Sequence, residues 1–194
     1  MNNDLMVSYE KTFANDYHFK VMMGHNLYQE EWKNENNLSD DLATEFTINE
    51  SGDRVFDEGI VIPMSGIENY PYTILFHLSD DEPELCKEKS RLQFRKSGYS
   101  LKVEHNMLIL FTWHILERFT PENVTALISD YKVCQKPIVE LENGWYHIEI
   151  LGGETLQDGE YEPTFEFMIQ PVTNEEKVIN TDINFSFKIL SSTY

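Results

Sequence analysis

Residues 138–151 read Ile138-Val139-Glu140-Leu141-Glu142-Asn143-Gly144-Trp145-Tyr146-His147-Ile148-Glu149-Ile150-Leu151. Apolar and polar residues largely alternate on both sides of Asn143-Gly144, the period of two that sends successive side chains to opposite faces of a strand. Asn-Gly is the dipeptide best suited to a two-residue turn with positive φ, so the stretch predicts a β-hairpin. Working outward, Thr164 to Ile169 and Ile183 to Leu190 alternate again, the latter as Phe185, Phe187 and Ile189 against Asn184, Ser186 and Lys188. Upstream, Leu92–Arg95 and Tyr99–Glu104 flank Ser97-Gly98 and predict a second hairpin. Tyr72 to Leu78, Met107 to Trp113, Tyr17 to Val21 and Leu5 to Phe13 are further strand candidates. Thr120-Pro121-Glu122 supplies an N-cap, a first-turn proline and an acid, and Val124, Leu127, Ile128 and Tyr131 then share one helical face. A weaker helix is expected between Asn26 and Asn36. The expected fold is mainly β: an antiparallel β-sandwich or open barrel with one or two short helices, in a single acidic domain over residues 1–194.

The same hairpin opens a region of one charge sign. From Pro137 to Glu176 there is no Lys or Arg but there are ten carboxylates, and the whole chain carries 34 acids against 15 bases, a net charge of −19. Stable binding to DNA phosphates requires the opposite sign, so nucleic acid is not an expected ligand. Aromatic residues make up 13% of the chain, too many for a disordered acidic tail. The first residues, Met1-Asn2-Asn3-Asp4-Leu5, lack the basic and apolar regions of a secretory signal, and no apolar run approaches membrane-spanning length. Cys86 and Cys134 are expected to be reduced thiols, and the expected compartment is the cytoplasm. Six bases, Lys87, Lys89, Arg91, Arg95, Lys96 and Lys102, cluster in Lys87–Lys102, which predicts a charge dipole on top of the net negative charge.

Catalytic signatures are missing from this sequence. It holds no His-Glu-x-x-His motif, Gly-x-Ser-x-Gly elbow, Ser-x-x-Lys set completed by Ser-Asp-Asn and Lys-Thr-Gly, or phosphate-cradling glycine loop; Gly152-Gly153 leads into Glu154, which would repel a phosphate. His114 and Glu117 would share a helical face and offer two metal ligands, yet their place beside an apolar strand favours a core or surface histidine. Asp80–Glu84 or Asp53–Glu58 offers oxygens for calcium without the spacing of an EF-hand loop. No catalytic residue, metal or cofactor is therefore expected. Acids interleaved with aromatics on a rigid sheet instead make a surface complementary to Lys and Arg. The expected partner-binding residues are Glu142, Trp145, Glu149, Glu154, Asp158, Glu160, Tyr161 and Glu162.

In order along the chain, Val7-Ser8-Tyr9 with Phe13, Trp32 in an acidic setting, Ile74-Leu75-Phe76-His77-Leu78, Lys96 to Glu104 and Gly144-Trp145-Tyr146 resemble the competence nuclease inhibitors of the ComJ type. The pattern departs from that family between about Met107 and Pro137 and again after Gly153. The resemblance implies a small cytoplasmic protein that binds and inhibits a DNA-entry nuclease, a class that also includes immunity proteins of toxin systems. The expected function is thus an immunity or inhibitor protein that neutralises a basic toxin or nuclease, as a monomer or small homo-oligomer. The alternative is a non-catalytic β-sandwich interaction or ligand-binding module that associates with itself.

Overall fold

The computed structural model describes residues 5–9, 21–69, 71–79, 81–134, 136–173 and 185–194. It is mainly β, with two sheets. The first sheet has the order β1 (Leu5–Tyr9), β4 (Tyr72–His77), β9 (Glu160–Val172), β8 (Gly144–Gln157) and β5 (Arg91–Val103). All its pairs are antiparallel except β4 with β9. The second sheet runs β3 (Val61–Met64), β2 (Val21–Gly24), β6 (Met107–Thr112) and β7 (Ile138–Glu140), antiparallel throughout.

The layers follow from which side chains each strand turns inward. On β8, Tyr146, Ile148 and Ile150 enter a core with Leu101, Phe165 and Phe167 of the first sheet and Met23, Ile62, Leu108 and Leu110 of the second. Strand β6 is apolar at nearly every position because both of its faces are covered. Leu108 and Leu110 face the first sheet, while Ile109 and Phe111 meet Trp32, Leu42, Phe46, Phe119, Val124 and Ile128 of a helical layer. That layer consists of α1 (Asn26–Glu35), α2 (Leu42–Ile48), α3 (Ser51–Asp57) and α4 (Pro121–Val133). Thr120 Oγ1 caps α4 as the sequence suggests, accepting from the Asn123 amide at 3.3 Å, and the Tyr131 hydroxyl donates to the Leu110 carbonyl at 2.7 Å. Lys33 of α1 is buried, donates to the Phe119 carbonyl at 2.8 Å and pairs with Asp40, which ties three segments together.

The outer face of the first sheet has only a small cover. Leu85, in a 3-10 turn at Glu84–Cys86, sits on Leu151 and Met168. Elsewhere on that face Trp145 and Leu75 stand among polar residues such as Thr73, His147, Thr164 and Gln170.

Both expected hairpins need correction. Arg91–Val103 is one continuous strand: Arg91 to Lys96 and Tyr99 to Val103 pair with the same neighbour, β8. Ser97-Gly98 forms a bulge between the Lys96–Ile150 and Tyr99–Ile148 pairs, and Gly98, at φ 97°, supplies the left-handed conformation it needs. Asn143-Gly144 is a crossing between sheets, because β7 pairs with β6 whereas β8 pairs with β5 and β9. Asn143 Oδ1 accepts from the Asn106 amide at 2.9 Å, and Gly144 stays out of the positive-φ region. The tight hairpin turn is Asp158-Gly159, at φ 49° and 94°, flanked by the Gln157–Glu160 pair.

Helices α2 and α3 are additions to the one or two helices expected. The alternation of Phe185, Phe187 and Ile189 holds in burial, with Phe187 and Ile189 in the inter-sheet core, although the segment forms only an isolated bridge, Ser65 with Ser186. The expected strand residues of 10–20 lie outside the described residues.

One polar cluster lies inside the protein. His25 caps α1, its Nδ1 accepting from the Leu27 and Tyr28 amides at 3.2 and 3.4 Å, and its ring stacks on His105 at 5.1 Å. Burial, then the nearby His105 and Lys132 charges, push its pKa down to about 4. The acceptor role of Nδ1 places the proton on Nε2, which has no hydrogen-bond partner among the described residues; the same holds for both side-chain polar atoms of Asn26 and of Gln29.

Candidate partner-binding face

Period-two geometry sends Trp145, His147 and Glu149 of β8, Met168 and Gln170 of β9 and Arg95 of β5 to the outer face of the first sheet, opposite the inward Tyr146, Ile148 and Ile169. The loop before and through the 3-10 turn crosses beside them. Between loop and sheet lies a cavity of about 310 Å³ lined by Asp81, Glu82, Pro83, Arg95, His147, Glu149, Met168 and Gln170. Three carboxylates against one guanidinium give this lining a formal charge of −2 with His147 neutral. Arg95 Nη2 donates to Glu149 Oε2 at 2.7 Å, a contact that holds the Arg95 pKa above its ordinary value. Glu149 reaches Arg95 because it stands where the bulge interrupts the register, between the pairs made by Ile148 and Ile150.

A buried carboxylate holds the loop in place. Glu166 Oε1 and Oε2 accept from the Glu84 and Leu85 amides at 2.6 and 2.8 Å, and His77 Nε2 meets Oε1 at 2.5 Å. Glu166 has no exposed surface. Burial alone would push its pKa up, but the bonds from His77, Leu85 and Glu84 outweigh that and keep it below the usual carboxylate range. A carboxylate satisfied on both oxygens is a rigid anchor, so the wall formed by residues 81–86 is set before any ligand arrives.

The expected binding residues do not form one patch. Glu142 is exposed, Trp145 is half-buried and Glu149 lines the cavity, all near the start of β8. Trp145 also packs on the tight turn at Gly59, where an added Cβ would stand 2.5 Å from its ring, at φ 68°. Asp158, Glu160, Tyr161 and Glu162 lie at the opposite end of the hairpin, level with Thr155 to Gln157 of β8 and the turn after it, about 20–30 Å along the strand from Glu149. Tyr161 is covered by the Arg91 guanidinium, 3.5 Å from its ring centre.

Glu154 leaves the surface altogether at 3% exposure. Its Oε1 accepts from the Ser192 amide and hydroxyl at 2.6 and 2.7 Å, and Arg91 approaches Oε2 at 3.4 Å. Burial works against its charge, yet these contacts hold its pKa below the ordinary value.

The expected dipole is reduced locally. Arg91 pairs with Glu154 and Arg95 with Glu149, which ties β5 to the acidic strand β8, while Lys102 pairs with Glu104 and Lys87 with Glu84 close in sequence. Glu142, Asp158, Glu160 and Glu162 make no ion pair among the described residues.

Among the described residues no group of three or more His, Cys, Asp or Glu side chains is placed to hold a metal ion. His114 and Glu117 are exposed and 3.2 Å apart on a 3-10 turn at Trp113–Arg118. Cys86 and Cys134 form no disulfide. No helix among the described residues is long and apolar enough to cross a membrane.

The sequence reading passed over Met168 and Gln170 and took Asp80–Glu84 for an acidic loop with oxygens for calcium. Their convergence depends on the parallel β4–β9 pairing and on the β5 bulge, neither of which has a local signal.

No family model matches the chain, and no curated protein matches it. One solved structure, described as crocagin biosynthetic gene J, is similar at a TM-score of 0.39 and 9% identity, covering 79% of this chain and 90% of its own. That degree of likeness carries no functional argument.

Proposed function

We propose that this chain is a non-catalytic inhibitor or immunity protein that binds a basic protein domain, a toxin or nuclease, in the cytoplasm. The observation that supports the reading is the outer face of the first sheet. Among the described residues no α-helix lines its cavity, which presents a concave acidic site on a frame already rigid. The bases nearest in sequence are engaged with carboxylates of their own neighbourhood, so the surplus of 19 negative charges is left to act outward. A nuclease keeps a cationic cleft for its polyanionic substrate, and an acidic face is complementary to that cleft. Electrostatic matching of this kind speeds association and rejects wrong partners.

The test uses a basic nuclease or toxin domain encoded beside this chain's own gene. Mixed at equal molar amounts, the two proteins should co-elute in gel filtration and nuclease activity should fall to background. A nuclease that keeps full activity and elutes alone would refute the reading. A complex formed without loss of activity would favour the alternative, a non-catalytic interaction module.

A further inference from the structure

We propose that the cavity between the 81–86 loop and strands β5, β8 and β9 is a socket for one lysine or arginine side chain of the basic partner, which takes Glu149 over from Arg95. The inference rests on the reading of a basic partner and adds the place and the chemistry of the contact.

The lining selects a particular ligand shape. Asp81 and Glu82 come from the loop and Glu149 from the sheet, so carboxylates approach from two sides. Met168 and Pro83 add apolar wall between them. A long cationic side chain has the matching form, an apolar stem with a charged head. About 310 Å³ admits one such side chain with some water, and does not admit a helix or a strand. An anion would meet the formal charge of −2, and an apolar group would strand Glu149 away from water.

Arg95 supplies the second line of support. Its side chain is half-exposed, yet its guanidinium already rests on Glu149 at 2.7 Å. The carboxylate is thus presented in the orientation a guanidinium or ammonium requires. When the partner's cation arrives, Glu149 keeps a charge-assisted hydrogen bond and Arg95 swings into water, so no buried charge is left alone. The exchange also gives selectivity, because a partner without a cation at this point cannot displace Arg95.

The full chain, isotopically labelled, should be titrated by NMR with a hexa-arginine peptide, a hexa-lysine peptide and, as control, a hexa-glutamate peptide at low salt. Both cationic peptides should move the amides of Asp81, Glu82, His147, Glu149, Met168 and Gln170 first, together with the Arg95 side-chain signal. Loss of one charge-assisted bond predicts that Glu149→Gln weakens binding about tenfold or more, and that the exposed loop pair Asp81→Asn with Glu82→Gln does so in a background that folds normally. Arg95→Gln should tighten binding, since it removes the internal competitor. Reversing Asp158, Glu160 and Glu162 to Lys should slow association only, by a factor that shrinks at high salt.

Peptide shifts centred on residues 158–162 or on the helical layer, with Glu149→Gln binding as well as the parent, would overturn the socket and leave the basic-partner reading standing. Weaker binding by Arg95→Gln would overturn the exchange. Absence of binding to either cationic peptide would sink both.

Discussion

Strand β6 and strand β8 each carry an inward row and an outward row of side chains, and the outward rows differ completely. Ile109 and Phe111 of β6 vanish beneath four helices, whereas His147 and Glu149 of β8 line an open, charged cavity. One sheet face is therefore committed to stability and the other is available for recognition. A strand that is apolar at consecutive positions reports two covers, and a strand that alternates reports one.

Substitutions on the two faces should break the comparison most sharply if it is wrong. Phe111→Ala should cost about 3–5 kcal/mol in urea unfolding, since the ring is fully enclosed. His147→Ala on the open face should stay within about 0.5 kcal/mol. Equal losses at the two positions would mean the outer face of the first sheet is not open.

Glu166 is a fully buried carboxylate on that face. Glu166→Ala should cost about 3–5 kcal/mol by leaving two amides and His77 without their acceptor. It should also loosen the 81–86 loop, read as faster hydrogen exchange at Glu84 and Leu85. Unchanged exchange there would show that the cavity wall is held by something else.

Acid should weaken both halves of the molecule, in two separable windows. Glu154 and Glu166 have depressed pKa values, so their contribution is complete above the ordinary carboxylate value, about 4.3, and is lost as pH falls through their folded values. His25 is held down to about 4, so between that value and its ordinary 6.5 the unfolded chain binds more protons. Stability therefore falls as pH drops through that interval, by up to about 3 kcal/mol. His25→Asn keeps a capping side chain and should flatten the pH 4 to 6.5 slope while leaving the lower window intact. A slope unchanged by that substitution would place the titration elsewhere.

The smallest effects distinguish the bulge from the hairpin. Gly98→Ala forces a side chain into a positive-φ position and should cost about 1 kcal/mol. Gly144→Ala meets no atom within 4 Å and has ordinary φ, so it should fall within about 0.5 kcal/mol of the parent.

Those two glycines also mark where the sequence was legible. The strand around each was readable from its period, and so was α4 from its cap and its apolar face. The turn chemistry was misread because a glycine beside a polar residue suits a hairpin, a bulge or a crossing equally well, and the choice is made by partners far along the chain. Helix α2 had a usable signal, Asp41 accepting from the Thr44 amide at 3.0 Å before Leu42 and Phe46, but α2 spans only seven residues. Of the expected binding residues, Glu149 lines the cavity, and Glu154 was lost to Ser192, a partner 38 positions away. Local pattern specified which residues face outward; it carried no information on which of them meet.

Strand β4 has a consequence for how the protein is made. Its Thr73 to His77 wait for Thr164 to Met168, and Ser65 waits for Phe185, 120 positions later. A ribosome therefore exposes one apolar edge of β4 long before its second neighbour, β9, exists, and loop closure over such a span is slow. Assembly of the first sheet should be a late event, on the scale of milliseconds to seconds after synthesis, and the nascent chain a natural client for chaperones.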